Sequence, residues 1–427
     1  ISLTSVCCKA MERIVKFRLL SHVTENAVIS PNQHGFIKGK STQTQLLECL
    51  NDWTSALDQS VAVDAIYLDI RKAFDTVSHS KLLSVLANYG IKGNILCWLE
   101  DFLINRRQRV RINRSFSEAA PVRSGVPQGS VLGPLLFLLY INDMALSAKH
   151  SILKMFADDT KIYFSISCLS DHTVLEIDLE NIFLFLSQRQ LSVSLNKCLV
   201  LHLGGSLNAN LPYCFGASSL VACSSVADLG ITITDSLDFS EHYTKIVAKA
   251  SSVSNLIFRV FSCRDPMFLI KLFNIYVRPI LEYSSCVWSP YKVGDISFIE
   301  SVQRKFTKRI PLIASWSYKR RLEFLHQDSL ELRRLRCDIA QVYKILNGLD
   351  CVSFNFVRRS ENRTRGHSQM LVMPPANTSL RDRFFSFRVI RVWNSLPDCV
   401  IASDSLKGFK SKLEVSDLSP YLRLRFD

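Results

Sequence analysis

The spacing of apolar residues changes along the first part of the chain, and it predicts helices alternating with buried strands. Apolar positions recur at helical spacing in Lys9–Leu20, Gln43–Leu57 and Ser80–Tyr89. By contrast, Ala65–Leu68 is apolar at every position and is followed directly by Asp69. A continuous run of this kind is typical of a strand buried on both faces. We therefore expect Asp69 at the end of such a strand.

A second apolar pattern encloses a pair of acidic residues. The runs Leu153–Met155 and Lys161–Phe164 flank the short segment Phe156–Thr160, which contains Asp158 and Asp159. Two apolar runs around a short polar centre predict a β-hairpin. The two carboxylates are expected at its tip.

The most apolar stretch of the sequence is Val131–Leu146, which Pro134, Asn142 and Asp143 interrupt. It is shorter than the ~20 residues that a membrane-spanning helix needs. We therefore predict a buried core helix, and no segment that spans a membrane.

The second half of the chain is expected to be largely helical. Asp265 and Pro266 form a strong helix start, and a domain boundary is predicted near Pro290–Asp295. Before them, Ser240–Phe261 reads as an amphipathic helix. Its predicted apolar stripe consists of Ile246, Val247, Ala250, Val253, Leu256, Ile257 and Val260.

The charge balance favours a polyanionic partner, either a nucleic acid or an anionic membrane surface, because 52 Lys and Arg against 38 Asp and Glu leave a net charge of +14. Residues 106–114 contain five arginines, of which Arg107, Arg109 and Arg111 would point to one face of a strand. A solvated edge strand and a phosphate-facing surface both remain open. Residues 303–345 carry eleven basic and four acidic side chains, and a nucleic-acid surface is favoured there over a solvated charged face.

The thirteen cysteines are scattered and include no Cys-x-x-Cys pair. This distribution fits reduced thiols in a cytosolic or nuclear protein, and neither a disulfide framework nor a zinc site. The chain begins at Ile1 without an initiator methionine, so we expect a fragment of a longer product.

Three carboxylates stand where burial would make a charge costly. An Asp at the end of a buried strand must be paired, protonated or bound to a cation. The pair Asp158-Asp159 alone is weak evidence, since an ordinary hydrated turn is the better explanation of an isolated acidic pair. Together with Asp69 it forms a hard-oxygen donor set suited to Mg²⁺. Three such groups could hold two cations ~4 Å apart for in-line phosphoryl transfer.

A series of sequence blocks follows along the chain: Ile1–Ser5, His34–Thr42, Tyr67–Asp75, the glycine-rich Gly125–Pro134, Phe156–Asp159, Leu195–Lys197, Leu229–Ile231, Tyr276–Trp288 and the segments from Arg365 to Asn394. In this order the blocks resemble the reverse transcriptase of a non-LTR (LINE-type) retrotransposon of the chicken-repeat and jockey-like branch. The resemblance covers nearly the whole chain, and the block at Ile1–Ser5 looks like a first fingers motif cut just inside its start.

The resemblance implies an α+β fold of the right-hand polymerase type with a mostly helical C-terminal extension. Residues 1–62 would form truncated fingers, 63–235 a palm with inserted fingers elements, 236–292 a thumb, and 293–427 a basic extension. It also implies an intracellular protein, nuclear by the family's way of life, that works on an RNA template, a DNA primer and dNTPs.

The resemblance also implies roles for particular residues. Asp69, Asp158 and Asp159 would hold two Mg²⁺ ions, for which Mn²⁺ could substitute, with the Ile70 carbonyl as a further ligand and Lys197 as a candidate proton donor to pyrophosphate. A plain surface lysine is the alternative for Lys197. Asp75 and Asp143 are expected to make local hydrogen bonds or caps. The nucleotide-binding residues would be Lys38, Lys40, Arg71, Lys72, Ala73, Phe74, Gln128 and Gly129.

Two hypotheses for the activity are an RNA-templated DNA polymerase and an RNA-dependent RNA polymerase, and Phe74 discriminates between them. An aromatic residue at the fifth position after Asp69 favours the selection of deoxyribose, whereas RNA-dependent RNA polymerases favour a small residue or an acid there. A core phenylalanine is the competing interpretation. A third hypothesis is a truncated relic of a retroelement that binds nucleic acid without polymerising.

Overall fold

The computed structural model describes residues 4–205, 211–359 and 367–426. Within them the helices are α1 (Val6–Glu25), α2 (Thr42–Asp58), α3 (His79–Asn88), α4 (Gly93–Leu103), α5 (Gly133–Ile141), α6 (Leu169–Gln188), α7 (Ser240–Val260), α8 (Pro266–Leu272), α9 (Arg278–Glu282), α10 (Ser285–Trp288), α11 (Val293–Lys308), α12 (Tyr318–Phe324), α13 (Leu330–Leu346), α14 (Ser379–Arg383), α15 (Phe385–Asn394), α16 (Asp398–Ile401) and α17 (Leu406–Val415). A π-helical segment, Phe273–Val277, joins α8 to α9.

The strands are concentrated before residue 235. They are β1 (Ala62–Asp69), β2 (Arg107–Gln108), β3 (Arg111–Ile112), β4 (Ser115–Phe116), β5 (Ala120–Pro121), β6 (Ile152–Phe156), β7 (Asp159–Ile166), β8 (Leu199–Leu203), β9 (Cys214–Phe215), β10 (Ser218–Ser219), β11 (Val221–Cys223), β12 (Ser225–Asp228) and β13 (Ile231–Thr234).

The chain folds into two compact units. The first consists of Ile1–Ser41 and Val61–Ser224, and the second of Thr42–Ser60 and Ser225–Asp427. The predicted mixture of helix and sheet is confirmed. The two units share the elements unequally, because all strands of the larger sheet belong to the first unit.

The first unit is built on a five-stranded sheet with the order β11-β8-β1-β7-β6. The strand β1 lies at its centre and pairs antiparallel with β7 on one side and with β8 on the other. Its burial on both faces follows from the continuous apolar run that the sequence shows at this position. β6 and β7 form the predicted hairpin.

The apolar stretch from Val131 forms α5 and a 3₁₀ turn, Asn142–Leu146, as the core of the first unit. In α5 every residue except Pro134 is buried, so the helix has no polar face and needs neighbours on all sides. No helix in the described parts of the chain combines the length and apolar character needed to cross a membrane.

Asp178 of α6 ties the start of β6 to this core. Its buried carboxylate accepts hydrogen bonds from the backbone nitrogens of Lys149, His150 and Ser151 at 3.0, 2.9 and 2.7 Å. Burial favours the protonated acid, but these backbone hydrogen bonds outweigh it and hold the pKa of Asp178 below its ordinary value. The ionised carboxylate therefore stabilises the folded state.

We expect Asp178→Asn to lower the free energy of unfolding by about 2 kcal/mol at pH 7, since hydrogen bonds to a charged acceptor are lost. An acid whose pKa is lowered by folding contributes stability above its unfolded pKa of about 4, and that contribution disappears as pH falls through the lower folded value. Urea unfolding at pH 7 and pH 3 should therefore show the difference narrowing in acid. Asp101→Asn, at an exposed position of α4, is the matched control. An equal difference at both pH values would contradict this role.

The arginine-rich segment 106–114 does not form the single strand that we predicted. Arg107 lies in β2, which pairs with β5, whereas Arg111 lies in β3, which pairs with β4. Arg109 lies between these two pairings. The segment is therefore divided between two separate strand pairings, although the side chains of Arg107, Arg109 and Arg111 remain exposed.

The second unit is mainly helical, and α2 belongs to it in spite of its early position in the chain. The Asp58 carboxylate accepts hydrogen bonds from the backbone nitrogens of Asn377 and Thr378 at 2.9 and 2.7 Å. Arg381 donates to the carbonyl oxygen of Asn51 at 2.8 Å. These contacts anchor α2 to α14.

The helix α7 is confirmed within one residue of its predicted end, but its predicted apolar stripe is partly wrong. Leu256 and Val260 are 50% and 63% exposed. The buried face instead includes Tyr243, Ser254 and Phe258, so it is rotated away from Leu256. Tyr243 and Ser254 carry polar groups, so a search of the sequence for apolar positions does not include them in the buried face.

The basic segment 303–345 is less available for nucleic acid than we predicted. Arg321 and Arg334 are buried, because they insert between helices. Three further cations form ion pairs, Arg333 with Glu282, Arg336 with Asp328 and Lys344 with Asp350. The basic side chains that remain exposed in this segment are Arg304, Lys305, Lys308, Arg309, Lys319 and Arg320.

Candidate active site

The sheet register brings the distant acidic residues to one end of the central strands. Asp69, the last residue of β1, lies directly opposite Asp159, the first residue of β7. Cβ atoms of directly opposed residues on antiparallel strands are ~4.5–5.5 Å apart. Ala157 and Asp158 form the two-residue turn of the hairpin, with a positive φ of 56° at Ala157. Strand pairing thus brings the backbones of the three acidic residues to one end of the sheet.

A loop that precedes α2 supports the tip of the hairpin. Met155 and the loop exchange two backbone hydrogen bonds, from His34 N to Met155 O and from Met155 N to Asn32 O. The Gln33 side-chain oxygen accepts from the backbone nitrogens of Gly35 and Ala157 at 2.7 and 3.0 Å. Gln33 therefore fixes the residue that immediately precedes Asp158.

Gly35 allows this loop to lie against the hairpin. A Cβ atom at Gly35 would be 2.5 Å from the backbone nitrogen of Ala157. The sequence analysis missed the positioning roles of Gln33 and Gly35. Their location in a turn-rich loop was the available signal, but nothing in the sequence pattern specifies which backbone group a side-chain oxygen will meet.

A cavity of ≈ 800 Å³ opens beside the carboxylates. It brings together nine of the predicted site residues, including the carboxylates of Asp69 and Asp158. Gly129, Asp159, Lys38 and Lys40 are absent from its lining. The lining consists of Asp69, Ile70, Arg71, Lys72, Ala73, Phe74, Gln128, Asp158, Val193, Ser194, Leu195, Asn196 and Lys197.

The charges in this cavity interact. Lys197 Nζ lies 3.4 Å from Asp69 Oδ2. Burial and the nearby charge of Asp69 raise the pKa of Asp158, while its own backbone N–H opposes the rise. A cation between the two carboxylates would offset the repulsion that the charge of Asp69 exerts on Asp158.

The donor set fits a hard divalent cation such as Mg²⁺. Among the described residues no three His, Cys, Asp or Glu side chains are already arranged as a complete ligand set. Asp69 and Asp158 supply two carboxylates to the cavity, and Ile70 lines the same space. Mg²⁺ is usually bound through one or two carboxylates together with substrate phosphates and water, so two protein carboxylates are a sufficient protein contribution.

The chain that follows β1 is held against the segment that precedes β8. Ser194 N donates to Asp69 O at 2.8 Å, and Arg71 N donates to Ser192 O at 2.8 Å. Lys72 has a positive φ of 49°, and its carbonyl oxygen accepts from Asp75 N at 2.8 Å. Residues 71–74 therefore form a tight turn that lines the cavity.

The glycine-rich loop docks on this turn. Val126 N donates to Phe74 O at 2.8 Å, and a Cβ atom at Gly125 would lie 2.8 Å from Asp75 O. Gln128 Nε2 donates to Asp75 Oδ1 at 3.0 Å. The close backbone approach explains the glycine at position 125 and places Gln128 at the cavity.

Phe74 both packs against the core and lines the cavity, so neither of its two interpretations excludes the other. Its half-buried ring stacks on Phe137 of α5 with 4.3 Å between ring centroids, and the residue also lines the cavity. The core thus fixes the ring at the edge of the cavity.

A buried acid missed by sequence reasoning secures the start of α5. The Glu12 carboxylate accepts from the backbone nitrogens of Val131 and Leu132 at 2.6 and 3.0 Å. Glu12 lies on the buried face of α1 with Val15, Leu19 and Val23. An acid within an apolar stripe was the signal that could have revealed it.

The remaining candidates have local roles. The Lys40 ammonium donates to the carbonyl oxygen of Pro31, and Lys38 is exposed on the same loop. Asp143 accepts from the Tyr89 hydroxyl and from Arg189, and Asp75 accepts from Gln128. The local hydrogen bonds predicted for Asp75 and Asp143 are confirmed.

Comparison with known proteins identifies the family. Residues 1–252 match the family model "Reverse transcriptase (RNA-dependent DNA polymerase)". The probable RNA-directed DNA polymerase from transposon X-element of Drosophila melanogaster is 28% identical over 341 residues, 77% of this chain and 37% of that protein. The corresponding protein of transposon BS from the same organism is 27% identical over 331 residues, 73% of this chain and 36% of that protein.

A third relative is the RNA-directed DNA polymerase from mobile element jockey of D. melanogaster, 27% identical over 317 residues, 71% of this chain and 34% of that protein. The chain thus spans about a third of the length of these relatives. Solved structures of telomerase from Candida tropicalis and Candida albicans are 12% identical, with TM-scores of 0.43 and 0.41, and cover 78% and 73% of this chain and 58% and 55% of those chains.

The family model covers more than half of the chain and includes every residue of the cavity. The predicted resemblance to jockey-like reverse transcriptases is confirmed by the relatives. The chain belongs to the reverse transcriptase (RNA-dependent DNA polymerase) family.

Proposed function

We propose that this chain is the RNA-directed DNA polymerase portion of a non-LTR retrotransposon protein. The observation that carries the proposal is the cavity in which Asp69 and Asp158 meet the turn 71–74, Phe74 and Gln128. Its substrates would be an RNA template, a DNA primer and a dNTP. The names of the relatives, each an RNA-directed DNA polymerase of a mobile element, support the same activity.

The proposal includes a right-hand arrangement of the chain. Residues 1–62 would contribute to the fingers, 63–235 to the palm, 236–292 to the thumb and 293–427 to a C-terminal extension. The five-stranded sheet of the first unit supports the palm assignment, because both cavity carboxylates lie at the end of its central strands.

In the reaction, the primer 3′-oxygen would form a bond to the α-phosphorus of the dNTP, and the bond to the pyrophosphate leaving group would break. Asp69 and Asp158 would hold two Mg²⁺ ions, with the Ile70 carbonyl and Asp159 as further ligands. When bound, these ions would supply charge neutralisation for the triphosphate and lower the pKa of the primer hydroxyl.

The other cavity residues would position the substrates. The backbone of residues 71–74, together with the cations of Arg71 and Lys72, would face the triphosphate. Gln128, with the neighbouring Gly129, would line the nascent base pair. The ring of Phe74, fixed by Phe137, would lie under the deoxyribose and leave no room for a 2′-hydroxyl.

Lys197 is the candidate proton donor to the departing pyrophosphate. It lies on the far side of Asp69 from the hairpin and lines the cavity. Its ammonium group forms an ion pair with Asp69 and carries the kind of proton that a general acid transfers. Lys38 and Lys40 lie outside the cavity lining, so we assign them no part in this mechanism.

Primer extension by the purified chain tests the proposal. With poly(rA)/oligo(dT), Mg²⁺ and dTTP we expect extended DNA, and with UTP in place of dTTP at least tenfold less product. Phe74→Val should reduce this preference for dTTP, because the ring that excludes the 2′-hydroxyl is lost. A preference for UTP would indicate an RNA polymerase. Salt-sensitive binding without any product would indicate a chain that only binds nucleic acid.

A further inference from the structure

The second unit contains a cavity of ≈ 250 Å³ that is lined by five arginines from four separate parts of the chain. One water molecule occupies about 30 Å³ in the liquid, so the cavity admits a larger ligand. Three carboxylates, Glu331, Asp338 and Asp382, also line it and leave the arginines in excess. The five arginines are Arg334, Arg383, Arg388, Arg391 and Arg423.

Arg334 of α13 is the unusual member of this group. Its side chain is 1% exposed, and none of its three guanidinium nitrogens has a hydrogen-bond partner among the described residues. A guanidinium carries five N–H donors. Burying a charged group without hydrogen bonds costs free energy. A hydrogen-bond acceptor that fits this cavity would recover that cost as favourable free energy of binding.

Burial lowers the pKa of Arg334, and the nearby Glu300, Glu331 and Asp338 oppose that shift, but none of these carboxylates forms a hydrogen bond with its guanidinium among the described residues. Glu331 accepts from the backbone nitrogens of Arg423 and Leu424 at 2.8 and 3.0 Å. Asp338 accepts two hydrogen bonds from Arg388, each of 3.0 Å. Glu300 accepts from the hydroxyl of Tyr318 with one oxygen, and its other oxygen has no hydrogen-bond partner among the described residues. Glu331 and Asp338 are therefore engaged by other donors, and within the described part of the chain no carboxylate forms a hydrogen bond with the Arg334 guanidinium.

The rim of the cavity combines cations with an aromatic ring. The Arg383 guanidinium lies 3.5 Å from the ring centroid of Tyr291. Arg423 donates to the carbonyl oxygen of Tyr291 at 2.7 Å, and Arg391 is exposed. Planar guanidinium groups around a concave space match the tetrahedral oxygens of a phosphoryl group better than lysines do.

We propose that this arginine cavity binds a phosphoryl group, with Arg334 at its base and Arg391 and Arg423 at its rim. The ligand would be either a free nucleotide or a phosphate of a nucleic-acid strand. The inference does not depend on the proposed polymerase activity, because no residue of the cavity belongs to the first unit.

The test measures the melting temperature of the full chain in EDTA, which prevents metal-dependent binding at the other cavity. Inorganic phosphate, titrated against chloride at constant ionic strength, should raise the melting temperature of the wild type. Arg391→Gln and Arg423→Gln should each weaken the apparent affinity at least threefold, and Arg334→Lys at least tenfold. Arg259→Gln, exposed on α7, is the matched control and should bind as the wild type does.

Two further probes separate the sources of the phosphoryl group. Tighter binding of AMP than of a single-stranded oligo(U) 10-mer, lost in the rim variants, supports a free nucleotide, and the reverse order supports a strand. The rim variants keep the test decisive if Arg334→Lys fails to fold. Equal melting temperatures in phosphate and in chloride would overturn the proposal. So would Arg391→Gln and Arg423→Gln variants that both bind phosphate, AMP and oligo(U) as tightly as the wild type does.

Discussion

Replacing Asp158 with Asn is expected to reduce primer extension on the order of 10³-fold, a size typical of removing one charge-stabilising group from an active site. The variant loses one of the two carboxylates that line the cavity. An amide carries no charge to balance a divalent cation, so the bound triphosphate would lose its counter-charge.

The same substitution should not destabilise the protein. Burial and the charge of Asp69 raise the pKa of Asp158, so the folded protein disfavours the ionised carboxyl at this position. A neutral amide removes that repulsion, and the melting temperature should stay the same or rise slightly. A large loss of activity together with unchanged stability is the signature of a residue that acts in the reaction.

Single-turnover extension of oligo(dT) on poly(rA) measures the activity, and thermal unfolding followed by circular dichroism measures the stability. Asp101→Asn makes the same chemical change at an exposed position of the first unit and should leave both unchanged. Asp69→Asn should resemble Asp158→Asn in activity. If Asp158→Asn kept more than a tenth of the wild-type rate, the assignment of this cavity as the polymerase site would be wrong.

Gly35→Ala is expected to lower primer extension at least tenfold. The added Cβ would lie 2.5 Å from Ala157 N and 3.1 Å from the carbonyl carbon of Phe156. Both atoms belong to the backbone, so the loop or the hairpin tip has to move, and Asp158 moves with the tip. A misplacement of ~1 Å in an active site can cost ~10²-fold in rate.

Two further variants make this result interpretable. Gly294→Ala adds a Cβ where no atom lies within 4 Å, and it should retain full activity. Gln33→Met removes the acceptor for the backbone nitrogens of Gly35 and Ala157 without adding a Cβ next to the hairpin. Gln33→Met decides the question if Gly35→Ala does not fold. Wild-type rates in both Gly35→Ala and Gln33→Met would show that the loop does not position the tip.

The elements that carry the carboxylates could be predicted because their signals are local. The apolar run before Asp69 and the two runs around Asp158 each specify a strand by their own composition. Once these strands pair in antiparallel register, the juxtaposition of Asp69 and Asp159 follows directly. The sequence could not indicate that Asp158 alone of the acidic pair would line the cavity, because that depends on the turn geometry at Ala157.

The supporting contacts could not be predicted, because they join side chains to backbone groups far away in the chain. Glu12 accepts hydrogen bonds from residues 131 and 132, and Gln33 from residue 157. The apolar stripe of α1 can mark Glu12 as a buried acid, but no periodicity identifies the backbone groups that such an acceptor will meet. Its partner is defined only when the two segments have packed.

The basic segment 303–345 shows the limit of counting charges along a sequence. Glu282, the partner of Arg333, lies outside the segment, and Arg334 is covered by helices that follow much later. The net charge of the segment was correct, but its exposure depended on these distant elements. The same reasoning explains why the buried face of α7 had to be corrected.

The assignment of α2 to the second unit has a consequence for synthesis of the protein. The chain leaves the first unit at residue 42 and returns at residue 61, before most of the second unit has been made. The face of α2 that contains Leu46, Leu50 and Trp53 packs among helices that the ribosome adds more than 200 residues later. At translation speeds of ~5–20 residues per second, the helices that cover this face are synthesised roughly ten seconds or longer after α2. During that interval the nascent chain exposes an apolar surface, so we expect chaperones to bind α2.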